Sequence, residues 1–103
     1  MKHFIVCTNS AVGGEAGANA AERNSITEYL KQNNRPVWHW FEDIWLVLDQ
    51  SEESHPKKLR DELRALIDQR THIVVMEIEP EAFSGFGNTK GWPWMSEYWG
   101  RSE

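Results

Sequence analysis

The sequence lacks most of the features that mark disulfide scaffolds, membrane spans and zinc sites. Its single cysteine, Cys7, cannot form an internal disulfide, which favours a reducing, cytosolic compartment. It has no apolar run of ~18 residues that would span a membrane. The apolar run at the N-terminus is too short for a signal peptide. Because Cys-x-x-Cys and His-x-x-x-His spacings are missing, we predict no structural zinc and no resident cofactor.

Basic residues are also scarce. Eleven Lys and Arg against sixteen Asp and Glu give a formal charge of −5. Tight, indiscriminate binding to nucleic acid needs basic side chains that neutralise phosphates, so this balance disfavours it. The partners that remain are proteins, including a second copy of the chain, and small ligands.

Aromatic residues are abundant in the second half of the chain. All six tryptophans lie between Trp38 and Trp99 in a chain of 103 residues. The length and an ordinary balance of 40% hydrophobic and 26% charged residues predict one domain over 1–103. We expect a core over 1–79, followed by an aromatic tail over 80–103 that packs on the sheet or on a partner.

Hydrophobic periodicity predicts the order strand, helix, strand, strand, helix, strand. The predicted strands are His3–Thr8, Val37–Phe41, Ile44–Leu48 and Thr71–Ile78, and the predicted helices are Ala20–Gln32 and Pro56–Gln69. This order is typical of an α+β fold, the ferredoxin-like βαββαβ sandwich. The first and third strands are the most continuously apolar, so we expect them at the centre of the sheet.

The second and third strands predict a hairpin around Glu42 and Asp43. Alternation of side chains then places Trp38, Trp40 and Trp45 on one face. Two helices cover only one face of such a sheet, and three exposed tryptophans would form a large apolar patch. We therefore expect the tail or a second subunit to cover them. The predicted interface residues are Trp38, Trp40, Trp45, Trp92 and Trp94.

Polar residues at strand ends form the first candidate site. We expect the first and third strands to run parallel and the last strand to run antiparallel to the first, so one edge gathers Asn9, Ser10, Asp49 and His72. An aspartate and a histidine can ligate a metal or transfer a proton, so Asp49 and His72 are the candidate catalytic residues. The alternative is that strand ends are polar because they meet water. Glu42 and Asp43 are expected at the opposite end, where they solvate a turn.

A glycine-rich loop forms the second candidate site. Gly13 and Gly14 lie between the first strand and the first helix, a context that suits phosphate binding at a helix N-terminus. The loop lacks the lysine of a phosphate-binding P-loop and the dinucleotide glycine pattern. The candidate ligand-binding residues are Asn9, Ser10, Gly13 and Gly14, and the alternative is a plain loop. We interpret His39 as a core histidine and Cys7 as a buried, unreactive thiol.

The stretch Trp38–Val47, with its Trp-His-aromatic and Trp-Leu-Val segments, resembles small bacterial SinR-like proteins. These proteins are similar to the compact ferredoxin-like nuclease family of CRISPR adaptation. The resemblance extends over 37–99, including Gly91-Trp92-Pro93-Trp94-Met95 in the tail. It implies a ferredoxin-like domain that pairs through its sheet into a homodimer. Some members of the wider family are metal-dependent nucleases with an aspartate at the end of the first strand, where this chain has Asn9.

These observations leave three functional hypotheses. The first is a homodimeric interaction or scaffold protein without catalysis, which the second apolar face and the acidic charge favour. The second is a Mg²⁺- or Mn²⁺-dependent endonuclease that uses Asp49 or His72. The third is a nucleotide or small-ligand sensor that uses the glycine-rich loop.

Overall fold

A four-stranded sheet forms the centre of the molecule. The computed structural model describes residues 1–10, 17–87 and 90–102. Its strands and helices are, in chain order, β1 (Lys2–Thr8), α1 (Ala20–Gln32), β2 (Val37–Phe41), β3 (Ile44–Asp49), α2 (Pro56–Arg64), β4 (Ile73–Ile78), β5 (Ala82–Phe83), α3 (Gly91–Tyr98) and β6 (Arg101–Ser102). The predicted α+β class is confirmed. Within the described ranges, no helix has both the length and the apolar character needed to cross a bilayer.

The strand order is β2-β3-β1-β4, and every neighbouring pair is antiparallel. The central position predicted for the first and third strands is therefore confirmed. Their expected parallel alignment is wrong, because Lys2 faces Asp49 while Cys7 faces Ile44. The physical reason is the two-residue turn, which reverses the chain between β2 and β3. Since β2 runs in the same direction as β1, β3 must run against both.

Helix α1 has the predicted bounds because both of its ends are encoded locally. The Asn19 side chain accepts a hydrogen bond from the Glu22 backbone N–H at 2.8 Å, and the Glu22 side chain returns to the Asn19 N–H, which completes a capping box. At the other end Asn34 adopts a left-handed φ of 57°, a conformation that asparagine tolerates well. Pro36 then follows and cannot continue a helix.

Helix α2 begins where predicted but ends at Arg64 rather than Gln69. Its start is fixed by Pro56 in the first turn and by His55, whose Nδ1 accepts the Lys57 N–H at 3.1 Å. Beyond Arg64 the chain tightens, and the Leu66 N–H donates to the Leu63 carbonyl at 3.0 Å. Leu66 and Ile67 still pack against the core from this turn. The apolar periodicity therefore marks core residues correctly and extends past the true helix end.

The two helices α1 and α2 cover one face of the sheet, here called the helix-side face. The fully buried side chains of this core are Phe4, Val6, Ile26, Leu30, Trp45, Val47, Leu59 and Leu63. The strand residues among them are every second residue of β1 (Phe4 and Val6) and of β3 (Trp45 and Val47), as side chains on one face of a strand must be. The opposite face, here called the tail-side face, carries the remaining side chains of the same strands and is the one on which the tail lies.

Candidate functional site

A β-bulge at Trp40 decides which tryptophans share a face. The register pairs His39 with Trp45 and Phe41 with Ile44, so Trp40 is the extra residue. The turn predicted at Glu42 and Asp43 is confirmed by the pairing of Phe41 with Ile44, whereas the predicted shared face of Trp40 and Trp45 is wrong. Between Val37 and His39, each β2 residue pairs with the β3 residue one position earlier than it would without the bulge. This shift places Trp45 on the same face as His39 and not on the face of Trp38.

Trp45 consequently belongs to the helix-side core and not to an interface. Its side chain is fully buried, its Nε1–H donates to Thr27 Oγ1 at 2.9 Å, and the His39 ring stacks on it at 4.5 Å. His39 Nε2 lies 2.6 Å from the Glu42 carbonyl oxygen and is satisfied there. The placement of Trp45 beside Trp38 and Trp40 is therefore corrected. His39 has a hydrogen-bond partner, as expected, but it is only partly buried and is not a core residue, which corrects the other half of its interpretation.

The chain's own tail covers part of the tail-side face. Met95 and Trp99 of the tail pack against Leu46, and the Trp92 ring lies 4.8 Å from the ring of Trp40. The partly buried members of this second apolar cluster are Ile5, Trp38, Trp40, Ile78, Phe83 and Trp94. The sequence predicted that the tail or a second subunit covers these tryptophans, and the tail contacts both Trp38 and Trp40.

Two close contacts hold α3 in place. The start of α3 passes so near the sheet that a Cβ on Gly91 would lie 2.1 Å from Cζ3 of Trp40. At the other end of α3, His3 Nε2 lies 2.7 Å from the Tyr98 carbonyl oxygen, and its ring meets the edge of Trp99 at 5.2 Å. These contacts run α3 across the tail-side face, from Trp40 on β2 to the end of β1 that carries His3.

The residues that the structure describes leave the end of the tail-side face away from His3 uncovered. The register lines up Phe41, Ile44, Cys7 and Val74 across the four strands, with Met76 in the next row. We call these five residues the open strip. Phe41 is 60% exposed, Val74 53% and Met76 44%. At ~4.8 Å per strand the strip spans about 14 Å, and all five of its side chains are uncharged.

Cys7 lies in this strip and is half-buried, which corrects its expected burial in the core. Desolvation raises the pKa of its thiol above the ordinary value. A raised pKa lowers the thiolate fraction at neutral pH, so the expectation of low reactivity is supported on a different ground.

An apolar cavity of about 300 Å³ adjoins the open strip. It opens between β2, β3 and the tail, and its lining residues are Trp40, Phe41, Ile44, Leu46, Phe83, Ser84, Gly85, Phe86, Trp92 and Met95. The rings of Phe83 and Trp92 stack nearly parallel at 6.2 Å and form one wall. Phe86 stands at the rim and is fully exposed.

A polar cluster occupies the edge where β1 ends, and its centre is Asp43. Thr8 Oγ1 donates to Asp43 Oδ1 at 2.9 Å, Ser10 Oγ donates to Asp43 Oδ2, and Arg23 Nε donates to Oδ1 at 3.2 Å. Burial by itself would raise the pKa of Asp43. The hydrogen bonds from Ser10, Thr8 and Arg23 and the guanidinium charge outweigh burial and hold this pKa below its ordinary value.

The expected composition of this edge was right for β1 and β4 and wrong for β3. The His72 backbone N–H donates to Asn9 Oδ1 at 2.8 Å, so Asn9, Ser10 and the start of β4 meet as predicted. Asp49 lies at the opposite end of the sheet, across from Lys2. Asp43 takes the place that was expected for Asp49, because β3 begins at this edge instead of ending there.

Asp49 is held in a separate ion-pair network. Arg35 Nε donates to Asp49 Oδ2 and Arg35 Nη2 donates to Glu62 Oε2, each at 2.9 Å. Burial would lower the pKa of Arg35, but the hydrogen bonds and charges of Asp49 and Glu62 outweigh it and raise this pKa. The Tyr29 hydroxyl also donates to Glu62, at 3.1 Å. This network ties α1, β3 and α2 together and keeps Asp49 far from His72.

The glycine-rich loop falls only in part within the described residues. Gly13 and Gly14 lie outside them. The base of the loop is closed by the Ala18 N–H, which donates to the Asn9 carbonyl at 2.7 Å, and by a parallel bridge between Ser10 and Ala18. Over 1–10, 17–87 and 90–102, no group of three or more His, Cys, Asp or Glu side chains is placed to hold a metal ion.

Sequence reasoning missed two features of these sites. The pairing of Arg23 with Asp43 follows once β3 is run antiparallel to β1, so the strand order contained that signal. The second feature is the exposure of Phe86. Its signal in the sequence is the pair of glycines that flank it, in the Gly-Phe-Gly segment 85–87 of the tail.

Comparisons of this chain with protein-family models, with curated proteins and with solved structures found no match.

Proposed function

We propose that this protein is a small homodimeric interaction protein, without catalysis of its own, that binds a second copy through the open strip. The observation that carries the proposal is the exposure of Phe41, Val74 and Met76 on one uncovered end of the sheet. Contiguous apolar patches on a protein surface mark interaction sites. Two sheets that pack face to face bury such residues against each other, with strands about 30° apart.

A second copy is the partner that the strip suits best. Each chain carries a formal charge of −5, so two copies repel wherever their charged surfaces meet. The five residues of the open strip are uncharged, so this face is one on which like-charged copies can approach closely. A contact between identical patches closes as a two-fold dimer, the commonest symmetric assembly.

The polar clusters support a binding role over a catalytic one. The Asp43 carboxylate already accepts from Thr8, Ser10 and Arg23, and the Asp49 carboxylate is engaged by Arg35. The hydrogen bonds of both carboxylates therefore join neighbouring parts of the fold. A catalytic carboxylate needs an accessible oxygen within reach of its substrate.

The proposal includes a ferredoxin-like fold and a cytosolic setting. The strand order β2-β3-β1-β4, antiparallel throughout, supports the fold together with helices after β1 and β3. The same topology and the Trp38–Val47 segment support kinship with the SinR-like proteins. The free Cys7 thiol on an accessible face supports a reducing compartment.

The test is the mass of the protein in solution, measured by light scattering after size exclusion. We expect the unaltered chain to run near twice the 12.0 kDa of one copy. The double variant Val74→Glu, Met76→Glu places carboxylates in the contact and should weaken the dimer at least a hundredfold, because an unpaired buried charge costs ~3–5 kcal/mol.

The matched control is Gln50→Glu, Gln69→Glu, which adds the same charge at exposed positions away from the strip. This control should remain dimeric. Both variants should keep the far-ultraviolet circular dichroism of the unaltered chain, which separates lost association from lost folding. A strip variant that stays folded and dimeric would refute the proposal.

A further inference from the structure

Phe86 is presented to solvent by a loop that glycine makes possible. Its side chain is fully exposed. Before it, a Cβ on Gly85 would lie 2.7 Å from Cη2 of Trp92, so any other residue there would force the loop or that ring to shift. After it, Gly87 has a φ of +141°, which side chains rarely adopt. The two glycines therefore hold the loop close to the domain while its phenyl ring points away.

The cavity beside this ring is apolar, and no side chain among the residues that the structure describes fills it. Its volume is about 300 Å³, and its walls include Trp40, Ile44, Phe83 and Trp92. Cavities in proteins that bind small molecules begin at ~300 Å³, so this one has room for a single aromatic side chain. Phe86 stands at its rim without filling it.

A second copy can fill this cavity. The projecting ring and the cavity lie side by side on one molecule, so a two-fold axis next to the loop would pair each ring with the other copy's cavity at the same time. The cavity lining contains no charged side chain, and Phe41 and Ile44 belong both to it and to the open strip. The two surfaces are thus one continuous apolar area.

We propose that in the homodimer Phe86 of each copy inserts into the aromatic cavity of the other. The inference rests on the proposed function, because it requires a second copy on the tail-side face. Phe86 is more exposed than any residue of the open strip, so its burial removes the most apolar surface from water, which makes Phe86 the anchor of the contact. Val74 and Met76 then pack around it.

Cross-linking tests the exchange directly. Two variants are made in a Cys7→Ala background, Phe86→Cys and Ile44→Cys, and the Ile44→Cys protein carries a mass tag away from its thiol. The two proteins are mixed under mild oxidation. Each protein holds a single thiol, so the tagged heterodimer reports a link between the ring position of one copy and the cavity wall of another. We expect this heterodimer, and we expect none when Phe86→Cys is mixed with Gln50→Cys, which lies at the far end of β3.

Equilibrium sedimentation supplies a second, independent readout. Phe86→Ala should raise the dimer dissociation constant about tenfold or more, because two rings per dimer lose their burial. Glu81→Ala, an exposed change in the same tail segment, should leave the constant unchanged.

The two proposals fail in different ways. If the unaltered chain is a dimer while Phe86→Ala binds as tightly and no tagged heterodimer forms, the exchange is wrong. The open-strip contact is then upheld if Val74→Glu, Met76→Glu weakens the dimer and is overturned if it does not. If the unaltered chain is monomeric at every concentration, both are wrong. A heterodimer together with a weakened Phe86→Ala dimer supports both.

Discussion

Replacement of Gly91 by alanine tests the packing of the tail most sharply. The added Cβ would lie 2.1 Å from Trp40 Cζ3 and 2.8 Å from Trp38 Cε2. Carbon atoms in contact sit ~3.5–4.0 Å apart, so the start of α3 or the two rings must move by more than 1 Å. Forcing extra volume into a packed site costs ~1–3 kcal/mol, and we expect Gly91→Ala to lower the free energy of unfolding by about 2 kcal/mol.

The sign of this effect makes the test decisive. Alanine favours a helix over glycine by up to ~1 kcal/mol, so a tail that does not pack on the sheet would make Gly91→Ala neutral or stabilising. Urea unfolding, followed by circular dichroism and by tryptophan fluorescence, measures the change. Ser96→Ala, at an exposed position of α3, is the control and should raise stability slightly. A Gly91→Ala protein as stable as the unaltered chain would refute the contact of α3 with Trp38 and Trp40.

Two further predictions concern the polar clusters. Because the pKa of Asp43 is lowered in the folded state, its contribution to stability is fully present above its ordinary pKa near ~3.9 and is lost as the pH falls through the lowered value. Asp43→Asn should therefore flatten the acid limb of a stability profile recorded from pH 2 to pH 7, and an unchanged limb would contradict the pairing with Arg23. Arg35→Met leaves the buried Asp49 carboxylate without its cation and should cost about 3 kcal/mol in urea unfolding, whereas Arg60→Met at an exposed ion pair should cost less than ~1 kcal/mol. Equal losses in these two variants would show that burial of the Arg35 pair contributes nothing.

The elements with local signals were predictable from the sequence. Helix α1 has the predicted bounds because Asn19 and Glu22 cap one end and Pro36 terminates the other. Helix α2 was predicted too long, since Leu66 and Ile67 continue the apolar spacing after the helix has ended. Periodicity reports which side chains face the core, and a turn can deliver a side chain to the core as well as a helix can.

The tail-side face was predictable only in outline. The segment Val37–Phe41 carries apolar residues on both of its faces, so alternation alone did not fix the register, and the bulge at Trp40 left no trace in the sequence. The abundance of tryptophan did indicate a second apolar layer. That the tail covers one end of this face and leaves Val74 and Met76 open depends on where α3 docks, a long-range contact that no local pattern encodes.

The polar site was mispredicted for a topological reason. Once β1 and β3 were taken as parallel, Asp49 and Asp43 exchanged ends, and every inference about neighbours followed that error. The contact between Asn9 and His72 was predicted correctly because it depends on the antiparallel pair of β1 and β4 alone.

The proposed homodimer is tested most directly by equilibrium sedimentation of the unaltered chain over a wide range of concentrations. We predict a reversible transition from the 12.0 kDa mass of one copy to twice that mass as the concentration rises. A mass of 12.0 kDa at every concentration would contradict the central claim that the open strip binds a second copy.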